Sequence, residues 1–323
     1  MTTNRQRRTM ARAYGPGVLG SRPHVVVGTV VWLVTALMTS TGGFDLSLVD
    51  VLLVLAPLVL VPIGLVVAGR ADDDRIALLR LGAAALLVPA LLAERGEVAG
   101  VLALPWLAVA VVLAVAAALR WMATPDFGPA ALARLASPLY LTVGATWVVA
   151  SRLGLQPVGI GEPIVELTAV HFHFAGFVAA LLAARTCEAA SRQAPRWAAA
   201  GAMLTIASPP IVAMGFTTGS AVFQIGGALL LSIGVWIIAG LTFAVVVPGT
   251  SDAPARALLT LSASAVVVPM VLAVFWAAGQ HVDVPALDVP AMARIHGTLN
   301  AFGFSLAGLL GWAAHDADVA RRT

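Results

Sequence analysis

Two stretches of the sequence concentrate side chains that can carry out acid–base chemistry. The first contains Glu166, His171 and His173, and the second contains His296 and Asn300. An imidazole titrates near neutrality, so one ring can donate a proton while another accepts one. A glutamate in an apolar environment can join the same exchange. These five residues form the candidate catalytic group.

Side chains suited to binding a substrate lie in the same stretches or are expected beside them, from the outer ends of spans five and eight. They are Arg294, Trp147, Gln224, Phe177 and Phe304. In this scheme His173 is the general base and is oriented by Glu166. His296 is the general acid and is held by Asn300, while Arg294 binds an anionic group. The substrate is expected to be a lipophilic small molecule.

Helical spacing decides which of these side chains share a face. Glu166 and His173 are seven residues apart, and His296 and Asn300 are four apart, so each pair lies on one side of an α-helix. His171 and His173 are two residues apart, which separates them by about 200° around a regular helix. A regular helix therefore does not direct both rings at one metal ion.

Metal and haem chemistry are the alternative interpretations of these histidines. Zinc or iron accepts imidazole and carboxylate ligands, and His171, His173 and His296 are the candidate ligands. Two histidines on membrane helices are also compatible with haem ligation. The acid–base interpretation requires no cofactor.

The elements that must position these residues are membrane-spanning helices. The 323 residues are 60% hydrophobic and 11% charged, whereas soluble domains carry about 25% charged residues. A bilayer core about 30 Å thick requires roughly 20 apolar residues per helix. The predicted spans are 24–43, 48–69, 76–93, 98–119, 133–152, 166–184, 197–216, 222–247, 256–278 and 293–314. We therefore expect an all-α, polytopic transmembrane helical bundle of about ten spans in the cell membrane.

The arginines predict the orientation of this bundle. All 19 basic residues are Arg, and placing the N-terminus inside leaves Arg95, Arg152 and Arg294 outside and the other sixteen inside. Positive charge favours the cytoplasmic side, so both termini are predicted to be cytoplasmic. The expected parts are a basic tail (1–23), a single transmembrane domain (24–314) and a short tail (315–323). The excess of basic residues is thus explained by orientation in the membrane. The expected partner is the lipid bilayer, and nucleic acid is not expected.

The two polar stretches also resemble each other. Aligned on the Gly-Phe pairs at 176–177 and 303–304, they place His173 opposite Asn300 at a constant offset of 127 residues. Both spans run from outside to inside in the predicted topology, so their polar residues lie at similar depths, one to two turns below the outer interface. This pattern is compatible with a faint internal repeat.

The segments HFHFAGF (171–177) and HGTLNAFGF (296–304) resemble the YndJ-like family of bacterial membrane proteins. The resemblance implies residence in the membrane as a polytopic protein and a shared His/Asn motif, without an established reaction. The matching positions are His171, His173, Gly176, Phe177, His296, Gly297, Asn300, Gly303 and Phe304.

Three functions are compatible with the sequence. The preferred one is an acid–base enzyme of the cyclase, isomerase, hydratase or hydrolase type. A proton-coupled transporter of small molecules is the second, since Pro57, Pro62, Pro209, Pro210 and Pro269 disturb helices as transporters require. Few polar residues in the inner half complete a path for it. The third is a haem- or metal-binding membrane protein.

Overall fold

The computed structural model describes residues 22–70 and 73–322, and these residues form helices and turns without any β-strand. The long helices are α1 (Pro23–Ser40), α2 (Leu48–Val67), α3 (Asp74–Leu92), α4 (Glu97–Ala123), α5 (Pro129–Arg152), α6 (Ile164–Ala190), α7 (Pro195–Thr218), α8 (Ala221–Gly249), α9 (Ala253–Gly279) and α10 (289–322). Within the described ranges, the first nine are long and apolar enough to cross a membrane.

The prediction of an all-α polytopic bundle with about ten spans is confirmed. Helix α10 is an unbroken succession of α- and π-helical turns that contains the predicted tenth span. Most of the predicted basic tail, residues 1–21, lies outside the described residues, as does Thr323. The orientation of the termini stays a prediction.

Short polar residues fix where several helices begin and end. Ser47 and Asp50 form a capping box at the start of α2, with the Asp50 carboxylate accepting from the Ser47 amide at 2.8 Å. Asp252 and Asp288 cap α9 and α10 through backbone amides three residues later. Gly219 ends α7 in the left-handed region, at φ +66°.

Helix α2 is the central helix of the bundle. Buried residues make up 89% of its most apolar stretch, against 22% for α1 and 33% for α4. A helix that is apolar on all sides is stable only when other helices or lipid surround it. The outer helices instead expose large apolar side chains, such as Leu79 of α3 and Val112 of α4, as expected for surfaces in contact with lipid.

Four helices contain π-helical segments. These lie at Ala56–Leu60 in α2, Phe172–Val178 in α6, Thr242–Val246 in α8, and Ala293–Gly297 and Leu299–Leu306 in α10. A π turn changes the direction in which the following side chains point, and such turns are frequent at functional sites. Both stretches that carry the candidate residues are therefore irregular where regular helix geometry was assumed.

Ion pairs join α5, α6 and α10 at the end opposite the candidate residues. Arg185 pairs with Asp316, and Glu188 pairs with Arg134. The guanidinium of Arg185 also lies 4.7 Å from the centre of the Trp312 ring. These contacts fix the relative positions of α6 and α10.

Candidate functional site

A cavity of about 250 Å³ lies between α2, α6, α7, α8, α9 and α10. Its walls are mainly apolar, and a few polar side chains reach it. These are Thr168, His171, Gln224, His296, Asn300 and Ser305. An apolar cavity with few polar groups is the usual form of a small-molecule site, although this one is slightly smaller than the roughly 300–1,000 Å³ common for such sites.

His171 contributes a ring nitrogen that forms no hydrogen bond with any residue of 22–70 or 73–322. Its Nδ1–H donates to the carbonyl oxygen of Leu167 at 2.6 Å, and the side chain is exposed to the cavity that it lines. A carbonyl oxygen can only accept, so Nδ1 carries the proton and Nε2 of the neutral ring carries a lone pair. No described residue forms a hydrogen bond with Nε2. His171 is thus available to a ligand.

His296 and Asn300 form a hydrogen-bonded pair beside His171. The rings of His171 and His296 have centroids 6.2 Å apart. Nδ1–H of His296 donates to the Pro269 carbonyl oxygen at 2.7 Å, and Nδ2–H of Asn300 donates to Nε2 of His296 at 3.1 Å. Both nitrogens of His296 are therefore satisfied, whereas Oδ1 of Asn300 accepts no hydrogen bond from the described residues.

His173 does not reach the cavity. It is fully buried, and Trp106 of α4 donates to its Nε2 at 2.9 Å while its Nδ1–H donates to the Ala169 carbonyl oxygen at 2.8 Å. Gly144 of α5 makes room for the ring, because a Cβ atom there would lie 2.7 Å from Nδ1. With both ring nitrogens occupied, His173 locks α4, α5 and α6 together.

Glu166 belongs to a separate polar network at the start of α6. Its carboxylate lies 3.7 Å from Arg95 and 4.0 Å from the buried Arg152, and neither Glu166 nor Arg152 lines the cavity. Arg152 also donates to the Ser151 hydroxyl at 3.0 Å. The expected contact between Glu166 and His173 is replaced by these ion pairs.

The candidate substrate-binding residues separate into two groups. Gln224 and Phe304 line the cavity, whereas Arg294, Trp147 and Phe177 do not. Arg294 is exposed, and Phe177 is buried against α2, where a Cβ atom on Gly64 would lie 2.9 Å from its ring. The positive charge expected to bind an anion is thus absent from the described cavity wall.

Gln224 connects the cavity to the segment between α9 and α10. Its amide nitrogen donates to the Gly215 carbonyl oxygen at 3.1 Å, and its Oε1 accepts from Nε2–H of His281 at 3.0 Å. Val289 and Met292, which follow this segment, line the cavity. The connection therefore contacts the cavity wall through the His281–Gln224 hydrogen bond and leads into two lining residues of α10.

The candidate metal ligands do not converge. Across residues 22–70 and 73–322, no group of three or more His, Cys, Asp or Glu side chains is placed to hold a metal ion. Among the three candidate histidines, His173 and His296 have both ring nitrogens engaged, which leaves Nε2 of His171.

The α5/α6 and α9/α10 helix pairs are joined by the same kind of contact. Ser137 of α5 donates to the Phe177 carbonyl oxygen at 2.9 Å, and Ser262 of α9 donates to the Phe304 carbonyl oxygen at 2.7 Å. Phe177 and Phe304 are the residues that the internal sequence match aligns. The likeness between the two stretches therefore extends to how their helices pack.

Sequence reasoning did not identify Trp106, the partner of His173. It lies 67 residues earlier, in the middle of an apolar helix, with no local signal for such a contact. Pro269, whose carbonyl oxygen fixes His296, was considered only as a helix-disturbing residue. Both contacts depend on helix packing.

The succession of long apolar helices defines a multi-pass helical membrane protein. The family described as YndJ-like protein matches residues 51–304, and the chain belongs to that family. It is 28% identical over 182 residues to "Uncharacterized membrane protein YndJ" of Bacillus subtilis (strain 168). The match covers 55% of this chain and 32% of that relative, so the chain spans about a third of the relative's length. No solved structure matches the chain.

Proposed function

We propose that the protein is an acid–base enzyme that binds a lipophilic small molecule in the cavity between α2 and α6–α10. The observation that carries the proposal is the free Nε2 of His171 in an otherwise apolar cavity of about 250 Å³. Polar groups near the centre of a membrane protein are costly and usually serve a cavity or a partner. An imidazole kept free in such a place is suited to proton transfer.

His171 is the general base in this proposal. Its Nδ1–H is held by the Leu167 carbonyl oxygen at 2.6 Å, which fixes the ring and directs basicity to Nε2. A proton taken up at Nε2 can be returned to another position of the same substrate. An isomerisation or cyclisation of this kind needs no second protein acid.

His296 acts as a positioning residue for Asn300. The Pro269 carbonyl oxygen fixes its tautomer, and its Nε2 then holds the Asn300 amide at 3.1 Å. The amide of Asn300 is therefore presented to the cavity in one orientation. This arrangement supports hydrogen bonding to the substrate next to His171.

Exchange of protons with solvent tests the proposed enzyme and does not require its substrate to be identified first. The full chain, reconstituted in nanodiscs, is incubated in D₂O with a lipid extract of the native host. We expect one lipophilic compound to gain carbon-bound deuterium, detected by mass spectrometry. The gain should be lost in His171→Leu, because the base is removed.

His315→Leu is the matched control for this experiment. His315 is a histidine of α10 that bonds to Thr250 at 3.1 Å and does not line the cavity. It should retain the deuterium incorporation of the wild type. Equal incorporation in His171→Leu, or none in a folded wild-type protein, would refute the proposed catalysis.

A proton-coupled transporter is the second candidate function. The observation in its favour is that four of the six cavity-lining helices, α2, α6, α8 and α10, contain π-helical segments. Such segments weaken the regular hydrogen bonding of a helix and favour changes of its shape. In this case the same His171 would gain and lose a proton during transport.

Proteoliposomes containing a pH-sensitive dye distinguish the transporter from the enzyme. A host extract of small molecules is added outside, and the internal pH is followed. A transporter changes the internal pH in the wild type but not in His171→Leu, without deuterium incorporation. An enzyme leaves the internal pH unchanged, and it incorporates deuterium in the wild type but not in His171→Leu.

A further inference from the structure

The wall of the cavity carries no formal charge. None of the described lining residues is Asp, Glu, Lys or Arg. The nearby Arg152 is paired with Glu166 outside the lining, and Arg294 is exposed elsewhere. Transfer of an unpaired ion into such surroundings is strongly unfavourable. The cavity therefore selects an uncharged ligand.

The polar end of the cavity offers a hydrogen-bond acceptor on His171. Nδ1–H of His171 is donated to the Leu167 carbonyl oxygen, and no acidic lining residue balances a charge on the ring. Nε2 of the neutral imidazole consequently requires a donor. A ligand with only ether or ester oxygens would leave this lone pair without a partner.

Asn300 supplies both kinds of hydrogen-bonding group, and it is bonded to His296, whose ring centroid lies 6.2 Å from that of His171. One Nδ2–H is donated to His296, which leaves the second Nδ2–H and the Oδ1 atom for a ligand. A hydroxyl group can donate its proton to one acceptor and accept a hydrogen bond through its oxygen. It therefore complements His171 and Asn300 together.

The rest of the lining suits an apolar body with flat or branched parts. Five aromatic side chains, Phe172, Phe174, Phe216, Trp276 and Phe304, contribute to the wall. The rings of Phe216 and Trp276 stack with centroids 6.2 Å apart. Gln224 is held by its hydrogen bonds to Gly215 and His281, and its second Nε2–H is a further donor in the wall.

We infer that the ligand is an uncharged lipophilic alcohol or phenol whose hydroxyl group bonds to His171 and Asn300. This inference rests on the proposed binding function of the cavity. It assigns a substrate class to the same site. An uncharged hydroxyl group takes the place of the anionic group that Arg294 was expected to bind. The hydroxyl group also lies where Nε2 of His171 can take up its proton.

Three probes with the same body test the inference. 4-Butylphenol, 4-butylanisole and 4-butylbenzoate are titrated calorimetrically into nanodiscs containing the full chain, and the heats of empty nanodiscs are subtracted. The phenol should bind about three- to tenfold more tightly than the anisole, as one neutral hydrogen bond permits. The benzoate should bind more weakly than either.

Variants connect this preference to named residues. His171→Leu should abolish the preference for phenol over anisole and leave the affinity for anisole nearly unchanged. Ala273→Phe, which places a ring in the cavity wall, should weaken phenol and anisole alike. His315→Leu should bind all three probes as the wild type does.

The possible failures are distinguishable. If anisole binds as tightly as phenol and Ala273→Phe weakens both, the cavity binds ligands but the hydroxyl inference is wrong. Tightest binding of benzoate would also overturn it. If no probe binds to the wild type, or if Ala273→Phe changes nothing, the proposed binding function fails and the inference fails with it.

Discussion

Nε1–H of Trp106 donates a 2.9 Å hydrogen bond to Nε2 of His173 in the interior of the bundle. The two rings are also nearly parallel, at 21°, with centroids 6.0 Å apart. Both side chains are fully buried, with 0% of their surface exposed. This pair joins α4 to α6 and gives His173 a structural role. His171, two residues earlier in the sequence, faces the cavity instead.

The first prediction concerns the stability that this pair provides. His173→Leu leaves the Trp106 N–H without a partner, and an unsatisfied buried donor costs about 1–3 kcal/mol. We expect the unfolding free energy, measured by denaturant titration in micelles, to fall by that amount. The double variant Trp106→Phe/His173→Leu should lose less than the sum of the two single variants.

His171→Leu is the control for the Trp106–His173 pair. It removes an imidazole from the same helix, but the ring faces the cavity and its hydrogen bond is to Leu167 of its own helix. Its unfolding free energy should stay close to that of the wild type. A larger loss in His171→Leu than in His173→Leu would contradict the separation of roles.

The second prediction tests the close approach of α5 to His173. In Gly144→Ala, the new Cβ atom would lie 2.7 Å from Nδ1 of His173 and 3.2 Å from the Ala169 carbonyl oxygen. The helices must move apart, and such overpacking costs about 1–3 kcal/mol. The thermal midpoint of the purified protein should fall.

Gly240→Ala provides the comparison for this substitution. Gly240 lies in α8, and a Cβ atom there would meet nothing within 4 Å. Because Ala favours a helix over Gly by up to about 1 kcal/mol, the thermal midpoint should be unchanged or slightly higher. Equal losses in both variants would mean that the contact with His173 is not the cause.

The sequence predicted the helices much better than it predicted the roles of the histidines. Apolar runs locate spans because the bilayer fixes their length, as for the predicted 48–69 and the observed Leu48–Val67. The spacing also separated His171 from His173. It did not indicate which one faces the cavity, because that depends on π turns and on Trp106, a partner 67 residues away.

The role predicted for Glu166 also depended on helical spacing alone. Its position on the same helical face as His173 suggested a contact, but the guanidinium groups of Arg95 and Arg152 lie within 4.0 Å of its carboxylate. Both arginines were recognised as belonging to the outer side. A pairing between charges of different helices can only be assigned once the packing is known.

The third prediction tests the buried ion pair between Arg152 and Glu166. The side chains are only 6% and 12% exposed. Arg152→Leu leaves only the half-exposed Arg95, at 3.7 Å, to compensate the carboxylate, so we expect a loss of about 1–3 kcal/mol in unfolding free energy. Arg152→Leu/Glu166→Gln should recover most of this loss, because the buried charge is removed as well.

Arg294→Leu is the matched control for Arg152→Leu. Arg294 is exposed and forms no ion pair with any residue of 22–70 or 73–322. A change of at most about 0.5 kcal/mol is expected for such a surface position. If Arg294→Leu lost as much unfolding free energy as Arg152→Leu, the loss would come from removing a positive charge at any position and not from breaking the buried pair.

The fourth prediction tests the orientation of the bundle and hence the side from which the cavity is reached. Val282 lies in the connection between α9 and α10 and is 54% exposed, and Phe127 lies between α4 and α5 and is 71% exposed. In a Cys187→Ala background, Val282→Cys should react with a membrane-impermeant maleimide on intact spheroplasts. Phe127→Cys should react only after permeabilisation.

The two labelling sites separate two possible errors in this topology. Five helices, α5 to α9, lie between them, so an odd number of crossings must place them on opposite sides of the membrane. Labelling of both from the same side would contradict the ten-span bundle itself. A reversed pattern would keep the bundle but contradict the orientation predicted from the arginines, and the hydrogen bond between His281 and Gln224 would then lie on the cytoplasmic side.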